Sequence, residues 1–217
     1  METFKAIILD IDGTLSPEVS WLALTRDLGA SVEDHVAIYQ SYKAGDSDYL
    51  DSKKQLLELW KATGNADHDY FYRLFDQLPL NEDVQNVVDK LKANYEICII
   101  TGSMDMYAEI VAQKLGVDNW FANTRLDWEH GVLVDMDYEL DQASRKLEQF
   151  LGFCTANGYK PDECVVVGDG ENDLLLFDVS NHGVLVGDDV PTEMVQRSWK
   201  IISNLKELPS IMDSLKT

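Results

Sequence analysis

The chain has 217 residues, 45% of them hydrophobic and 10% aromatic, and 39 acidic against 18 basic side chains give it a formal net charge of −21 at pH 7. A chain of this length buries roughly 70% of the surface it would expose unfolded, so it needs neither disulfides nor a structural metal to hold a core. Its acidic surface repels phosphate backbones, which excludes nucleic acid as a partner and demands local cations at any phosphate site.

The first element, "KAIILDI" (5–11), is a run of apolar and β-branched residues ending in Asp10, with Asp12 two positions on. From Ser16 to Leu80 no strand pattern occurs, only helical patterns broken at "GAS", "AGDSD" and "TGNADHD". The insertion reads as a helical cap of residues 16–80 on a core formed by 1–15 and 81–217. Residues 83–94 place Val84, Val87, Val88 and Leu91 on one helical face. "EICIIT" (96–101) reads as a strand closing on Thr101, Gly102 and Ser103, and "LDWEHGVLVD" (126–135) as a small hairpin turning at His130-Gly131. A helix over 144–157, capped by Ser144, would bury Leu147, Phe150, Leu151 and Cys154 and carry Lys146 in its first turn. "CVVVGD" (164–169), "GVLVGD" (183–188) and "WKIIS" (199–203) complete the strands. Near-continuous apolar strands alternating with amphipathic helices predict a doubly wound α/β fold with a parallel sheet covered on both faces.

Three cysteines, Cys98, Cys154 and Cys164, lie in apolar segments without a CxxC spacing. Neither a disulfide framework nor a zinc site is expected. No apolar run has the ~18 residues of a membrane span, and a strand starts too near Met1 to leave room for a secretory leader. The expectation is a cytoplasmic protein without a membrane partner; the oligomeric state is left open.

Ligands of open α/β sheets bind beyond the carboxyl ends of the strands. Asp10 and Asp12 fall there, as do Thr101-Gly102-Ser103 and "GDGEND" (168–173), whose Asp169 and Asp173 are four residues apart. Four carboxylates in one crevice repel each other unless a cation sits among them, and a hard oxygen-binding ion such as Mg²⁺ resolves the conflict. Lys146 opposes the dipole of its own helix, which points to a neighbouring carboxylate or phosphate. Singly, each feature has a plainer reading: Asp10 and Asp12 as turn formers, "GDGEND" as an acidic helix start, Lys146 as a solvated side chain. Those readings do not explain why all of them fall at the ends of one sheet.

"DIDGT", "ITGS", a helix-borne lysine and "GDGEND" together resemble the four motifs of the haloacid dehalogenase superfamily, in the phosphoserine phosphatase-like branch with a helical cap after the first motif. The resemblance implies that Asp10 is the nucleophile of an aspartyl-phosphate mechanism and Asp12 the acid and base. Mg²⁺ would be held by Asp10, the Asp12 carbonyl and Asp169, with Asp173 holding a metal-bound water or positioning Lys146. Thr101, Gly102 and Lys146 would grip the phosphoryl oxygens, with Asn172 able to face the substrate. An alkoxide needs a proton to leave and a halide does not, so an acid at position 12 favours a phosphatase over a dehalogenase. The substrate is expected to be a small phosphorylated metabolite. Phosphoserine is one alternative, and a catalytically silent or receiver-like phospho-acceptor protein is another. Glu18 lies near the place of the family's amine-binding glutamate. Lys53 and Lys54 stand where its carboxylate-binding arginine would fall, and lysine lacks that residue's bidentate fork. Trp21, Tyr39, Tyr42, Tyr49, Trp60, Phe71 and Tyr72 suit a helical core, though several could line a pocket for a larger organic group.

Overall fold

The computed structural model describes residues 4–188 and 190–215. Among these, β1 (Ala6–Leu9) is followed by four helices, α1 (Ser20–Leu28), α2 (Val32–Ala44), α3 (Tyr49–Lys61) and α4 (His68–Gln77). Next come α5 (Val84–Lys92), β2 (Glu96–Met104), α6 (Asp105–Leu115), β3 (Asn119–Glu129), β4 (Val132–Tyr138) and α7 (Gln142–Asn157). β5 (Cys164–Gly168), α8 (Leu174–Ser180), β6 (Gly183–Val186), α9 (Thr192–Gln196), β7 (Lys200–Ile202) and α10 (Leu208–Ser214) complete the chain. The strands form one sheet in the order β4-β3-β2-β1-β5-β6-β7, parallel except for β4. The α/β architecture is the one the alternating pattern predicts. No helix among the described residues is long and apolar enough to cross a membrane.

Successive side chains of a strand point to opposite faces, and the central strands bury both. Ile7, Leu9, Ile97, Ile99, Val165 and Val167 join the core under α5 and α6, whereas Ala6, Ile8, Cys98, Ile100, Cys164 and Val166 join the core under α7 and α8. The three cysteines are free and buried. The sequence breaks between the first helices are their caps: the side chains of Ser31, Asp48 and Asp67 each accept the backbone N–H three residues on, a device that contributes ~1 kcal/mol apiece. Both connections of the four-helix unit to the sheet are tied together, because the Asn81 N–H and side-chain amide donate to the carbonyls of Leu15 and Thr14, both at 2.8 Å.

Three expectations are corrected. The hairpin is larger than its motif, and β3 serves two partners: Asn119–Ala122 pair with β2 in parallel, and Thr124–Glu129 pair with β4. The turn is at His130-Gly131, both with positive φ, as a two-residue type I′ turn requires. β2 does not stop at Thr101 but continues to Met104 through a register shift after Thr101. Helix α7 starts at Gln142 behind the N-cap Asp141, whose carboxylate accepts the Ser144 N–H at 3.1 Å, because Gln142 and Ala143 are good helix formers that add to the first turn. Lys146 therefore lies beyond the first turn, and the buried stripe is Lys146, Gln149, Phe150, Phe153 and Cys154, leaving Leu151 exposed. Polar residues at two stripe positions hid the true face.

Inside the four-helix unit the Thr25 hydroxyl accepts from Trp60 Nε1 at 2.9 Å and lies 2.7 Å from His35 Nδ1. Burial pulls the His35 imidazole down to about 4. A histidine held neutral when folded binds its proton more readily unfolded, so its contribution is complete above pH ~6.5 and is lost as pH falls toward 4. Urea unfolding should show the stability of the native chain relative to His35→Gln falling by roughly 2 kcal/mol between pH 6.5 and 4.5; a difference that does not change with pH would contradict this.

Candidate active site

β1, β2 and β5 are adjacent, and their carboxyl ends carry Asp10, Thr101 and Asp169 to the same edge. The Asp10 N–H still bonds to Val167 O at 3.0 Å, so the residue is anchored to the sheet although the strand has ended. The chain then turns tightly, with Ile11 O accepting from Thr14, Leu15 and Ser16. Gly13 sits in this turn at φ +71, and a Cβ there would lie 1.9 Å from Asp169 Oδ2. Only glycine lets the first loop pass so close to that carboxylate.

Lys146 holds the site together. Its side chain is wholly buried, with Nζ 2.9 Å from Asp10 Oδ2 and 2.7 Å from Asp173 Oδ1. Burial opposes its charge, but Asp10 and Asp173 outweigh that effect and keep the amine protonated. Carboxylate oxygens of Asp10, Asp169 and Asp173 lie within 4.8 Å of one another. One ammonium does not balance three carboxylates, and Asp169 is pushed up to about 7 by burial and then by the charges of Asp10 and Asp173. An all-oxygen donor set with unbalanced negative charge fits a hard divalent cation such as Mg²⁺. The Asp12 carboxylate is outside this cluster. Its Oδ2 accepts the Ser20 hydroxyl at 2.8 Å, its Oδ1 is buried with no partner, and burial followed by Asp10 raises it to about 7.

A cavity of about 450 Å³ opens from these carboxylates toward the four-helix unit. Asp10, Asp12, Thr101, Gly102, Asp169 and Asn172 line its floor, and Lys53 lines its wall. Two expected substrate contacts are elsewhere. Glu18 does not line the cavity, because its carboxylate is drawn 3.0 Å from Arg26. Lys54 is exposed on the outer face of α3, 3.9 Å from Glu58. Neighbouring helix positions point about 100° apart, and the step from Lys53 to Lys54 passes from the cavity side of α3 to its exposed side.

Sequence reasoning missed several residues in and around the site. Ser20 opens α1 and links Asp12 to Ser103, a hydroxyl pair that joins the insertion to β2. Gln142 lines the cavity, accepts from Asn123 Nδ2 at 2.7 Å, and would be 2.8 Å from a Cβ on residue 102. Serines and glutamines are common surface residues, so no local signal marks these; the "ITGS" motif alone contained Ser103.

Comparison with known proteins agrees with this geometry. The family model described as haloacid dehalogenase-like hydrolase matches residues 7–178. The chain is 26% identical over 184 residues to a phosphoserine phosphatase of Albidiferax ferrireducens and 27% identical over 184 residues to one of Polaromonas sp., each alignment covering 82% of this chain and 76% of the relative. Among solved structures, a phospho-aspartyl intermediate analogue of phosphoserine phosphatase superposes with a TM-score of 0.74 at 21% identity, covering 96% of this chain and 99% of that one. A HAD family hydrolase from Salmonella enterica serovar Typhi gives 0.77 at 18%, covering 95% and 71%. The chain belongs to the haloacid dehalogenase-like hydrolases, and among them it is a phosphatase, a phosphoric monoester hydrolase.

Proposed function

We propose that the chain is a Mg²⁺-dependent phosphatase that hydrolyses a small phosphorylated metabolite through an aspartyl-phosphate on Asp10, with residues 16–80 acting as a cap over the cleft. The observation that carries this reading is the buried ammonium of Lys146 between Asp10 and Asp173, with Asp169 in the same cluster. Lys146 orients the Asp10 carboxylate, and Asp173 holds Lys146 from behind. Asp10 attacks phosphorus in line, and the bond from phosphorus to the ester oxygen breaks. Asp12, which ionises near neutrality, gives its proton to the leaving alkoxide and then takes one from the water that attacks the aspartyl-phosphate. Inorganic phosphate leaves and both carboxyl groups return to their starting states. Thr101 and Gly102 bind the phosphoryl oxygens at the cavity floor with Asn172 beside them, and Lys146, buried behind Asp10, adds its positive charge to their hold. Asp10, the Asp12 carbonyl and Asp169 would hold Mg²⁺, which supplies Lewis-acid charge screening between nucleophile and phosphate. Phosphoserine is a second reading, favoured by the names of the curated relatives.

Hydrolysis of para-nitrophenyl phosphate should require Mg²⁺, stop with EDTA and be lost in Asp10→Asn. Lys146→Ala should lower kcat by ~10²–10³-fold, the scale of removing one donor to developing charge; near-normal kcat would reject its role. Asp12→Asn should still form the aspartyl-phosphate from this good leaving group and release phosphate slowly, a split that rapid-quench kinetics resolves. Mg²⁺ should raise Tm, and Asp169→Asn should remove that rise while stabilising the metal-free protein. An undiminished Mg²⁺ response in that variant would place the ion elsewhere.

A further inference from the structure

The wall of the cavity opposite the carboxylates is poorly suited to an amino acid. Among the described lining residues its basic side chains are Lys53 and His35, with no arginine. Lys53 is already engaged, with Nζ 2.9 Å from Asp135 Oδ1 and 3.2 Å from Asp135 Oδ2, and it lies 5.7 Å from the centroid of the Tyr49 ring. His35 stays neutral above pH ~5, buried against Thr25. The substrate carboxylate of an amino acid would thus enter beside Asp10, Asp12 and Asp169 with no free cation on the wall to receive it. A cationic head would meet the Lys53 ammonium, while Glu18, the acid expected to pair with an amine, is held by Arg26 outside the cavity.

What the wall does offer is apolar and aromatic. Trp21, Tyr42, Tyr49, Leu56 and Tyr138 line it, and the rings brace each other: Tyr49 stacks on Tyr138 at 6.4 Å, and Trp21 meets Tyr138 edge-on at 5.5 Å. Burial and the neighbouring phenols hold the Tyr138 hydroxyl up at about 12, so it remains an uncharged donor. Placing a charge against such a wall forfeits its hydration, whereas a flat apolar group gains from leaving water. The cavity volume of about 450 Å³ falls in the ~300–1,000 Å³ range of pockets that bury drug-sized ligands.

From these contacts we infer that the substrate is a phosphate monoester of an uncharged alcohol carrying an aromatic or comparably flat apolar group, its phosphate at Thr101 and Gly102 and its organic part against Trp21, Tyr49 and Tyr138. The inference rests on the phosphatase reading above and selects the leaving group within it. Lys53 is then a positioning residue: the Asp135–Lys53–Tyr49 contacts set the wall and do not bind a substrate carboxylate.

The test compares kcat/KM of the Mg²⁺-loaded enzyme for benzyl phosphate, O-phosphoserine and phosphocholine, three alkyl esters differing in the group the wall must accept. Benzyl phosphate should exceed both others by at least ~10-fold, chiefly through KM. Asp135→Asn, which releases Lys53, should raise kcat/KM for O-phosphoserine several-fold and lower it for benzyl phosphate. Equal or better turnover of O-phosphoserine or phosphocholine by the native enzyme overturns the inference. Calorimetric titration with 2-phenylethylphosphonate and 2-amino-4-phosphonobutanoate, which cannot be hydrolysed, separates this from failure of the phosphatase reading. Preference for the phenyl compound without turnover of any ester retains the ligand class and removes the catalytic assignment. No preference between the two phosphonates overturns the ligand class itself.

Discussion

A lysine with no exposure to water, held at hydrogen-bonding distance from two aspartates, is the constraint around which this molecule is organised. Removing an ammonium and two carboxylates from water costs several kcal/mol per ion, and the cost is offset only when their geometry is good and their remaining valences are satisfied. Here the geometry comes from three separate elements: β1 presents Asp10, α7 presents Lys146, and the turn before α8 presents Asp173. The register of β1 between β2 and β5 and the stripe of α7 both follow from apolar side chains packed on the sheet. The hydrophobic core thus positions a charge cluster that would not assemble by itself.

That cluster is unbalanced, and its imbalance is chemically useful. Lys146 neutralises the Asp10–Asp173 side, while Asp169 faces them as a third acid whose ionisation is deferred to about pH 7. A site with surplus negative charge and oxygen donors suits a divalent ion, which together with Lys146 would supply the local positive charge that a phosphate needs in a protein whose net charge of −21 repels one. The same separation of roles explains the two aspartates of the first loop. Asp10 is fixed by an ammonium, whereas Asp12 lies apart from it with one oxygen on Ser20 and the other free, an environment that tunes its proton to neutrality.

Much of this was legible in the chain because parallel sheets announce themselves as apolar runs, and the acids of the candidate site stand where those runs stop. Asp10, Thr101 and Asp169 could be placed at one edge from the strands alone. Lys146 was found as a motif, but its burial was concealed: a charged residue in an apolar stripe reads as a break in the pattern, which shifted the predicted face of α7 onto the exposed Leu151. The insertion was legible as helices, since Ser31, Asp48 and Asp67 mark their starts, and several of its aromatic residues as candidate pocket lining, but not which of its charged side chains face inward. The inward turn of Lys53 and the outward positions of Lys54 and Glu18 depend on how α1 and α3 rotate about their axes and on partners remote in sequence, Asp135 above all. Half of β3 was overlooked because "NWFANTR" is too polar for a buried strand; it pairs at the margin of the sheet, where one face is open.

The hydroxyl pair of Ser20 and Ser103 gives the insertion a voice in the chemistry. Ser20 is the first residue of α1 and also the donor to Asp12, so a single residue links the helix to that carboxylate and to β2. Without that donor the proton affinity of Asp12 would climb, because the Ser20 hydroxyl favours the ionised carboxylate. The position of α1 and the ionisation of Asp12 are thereby tied to a single side-chain oxygen.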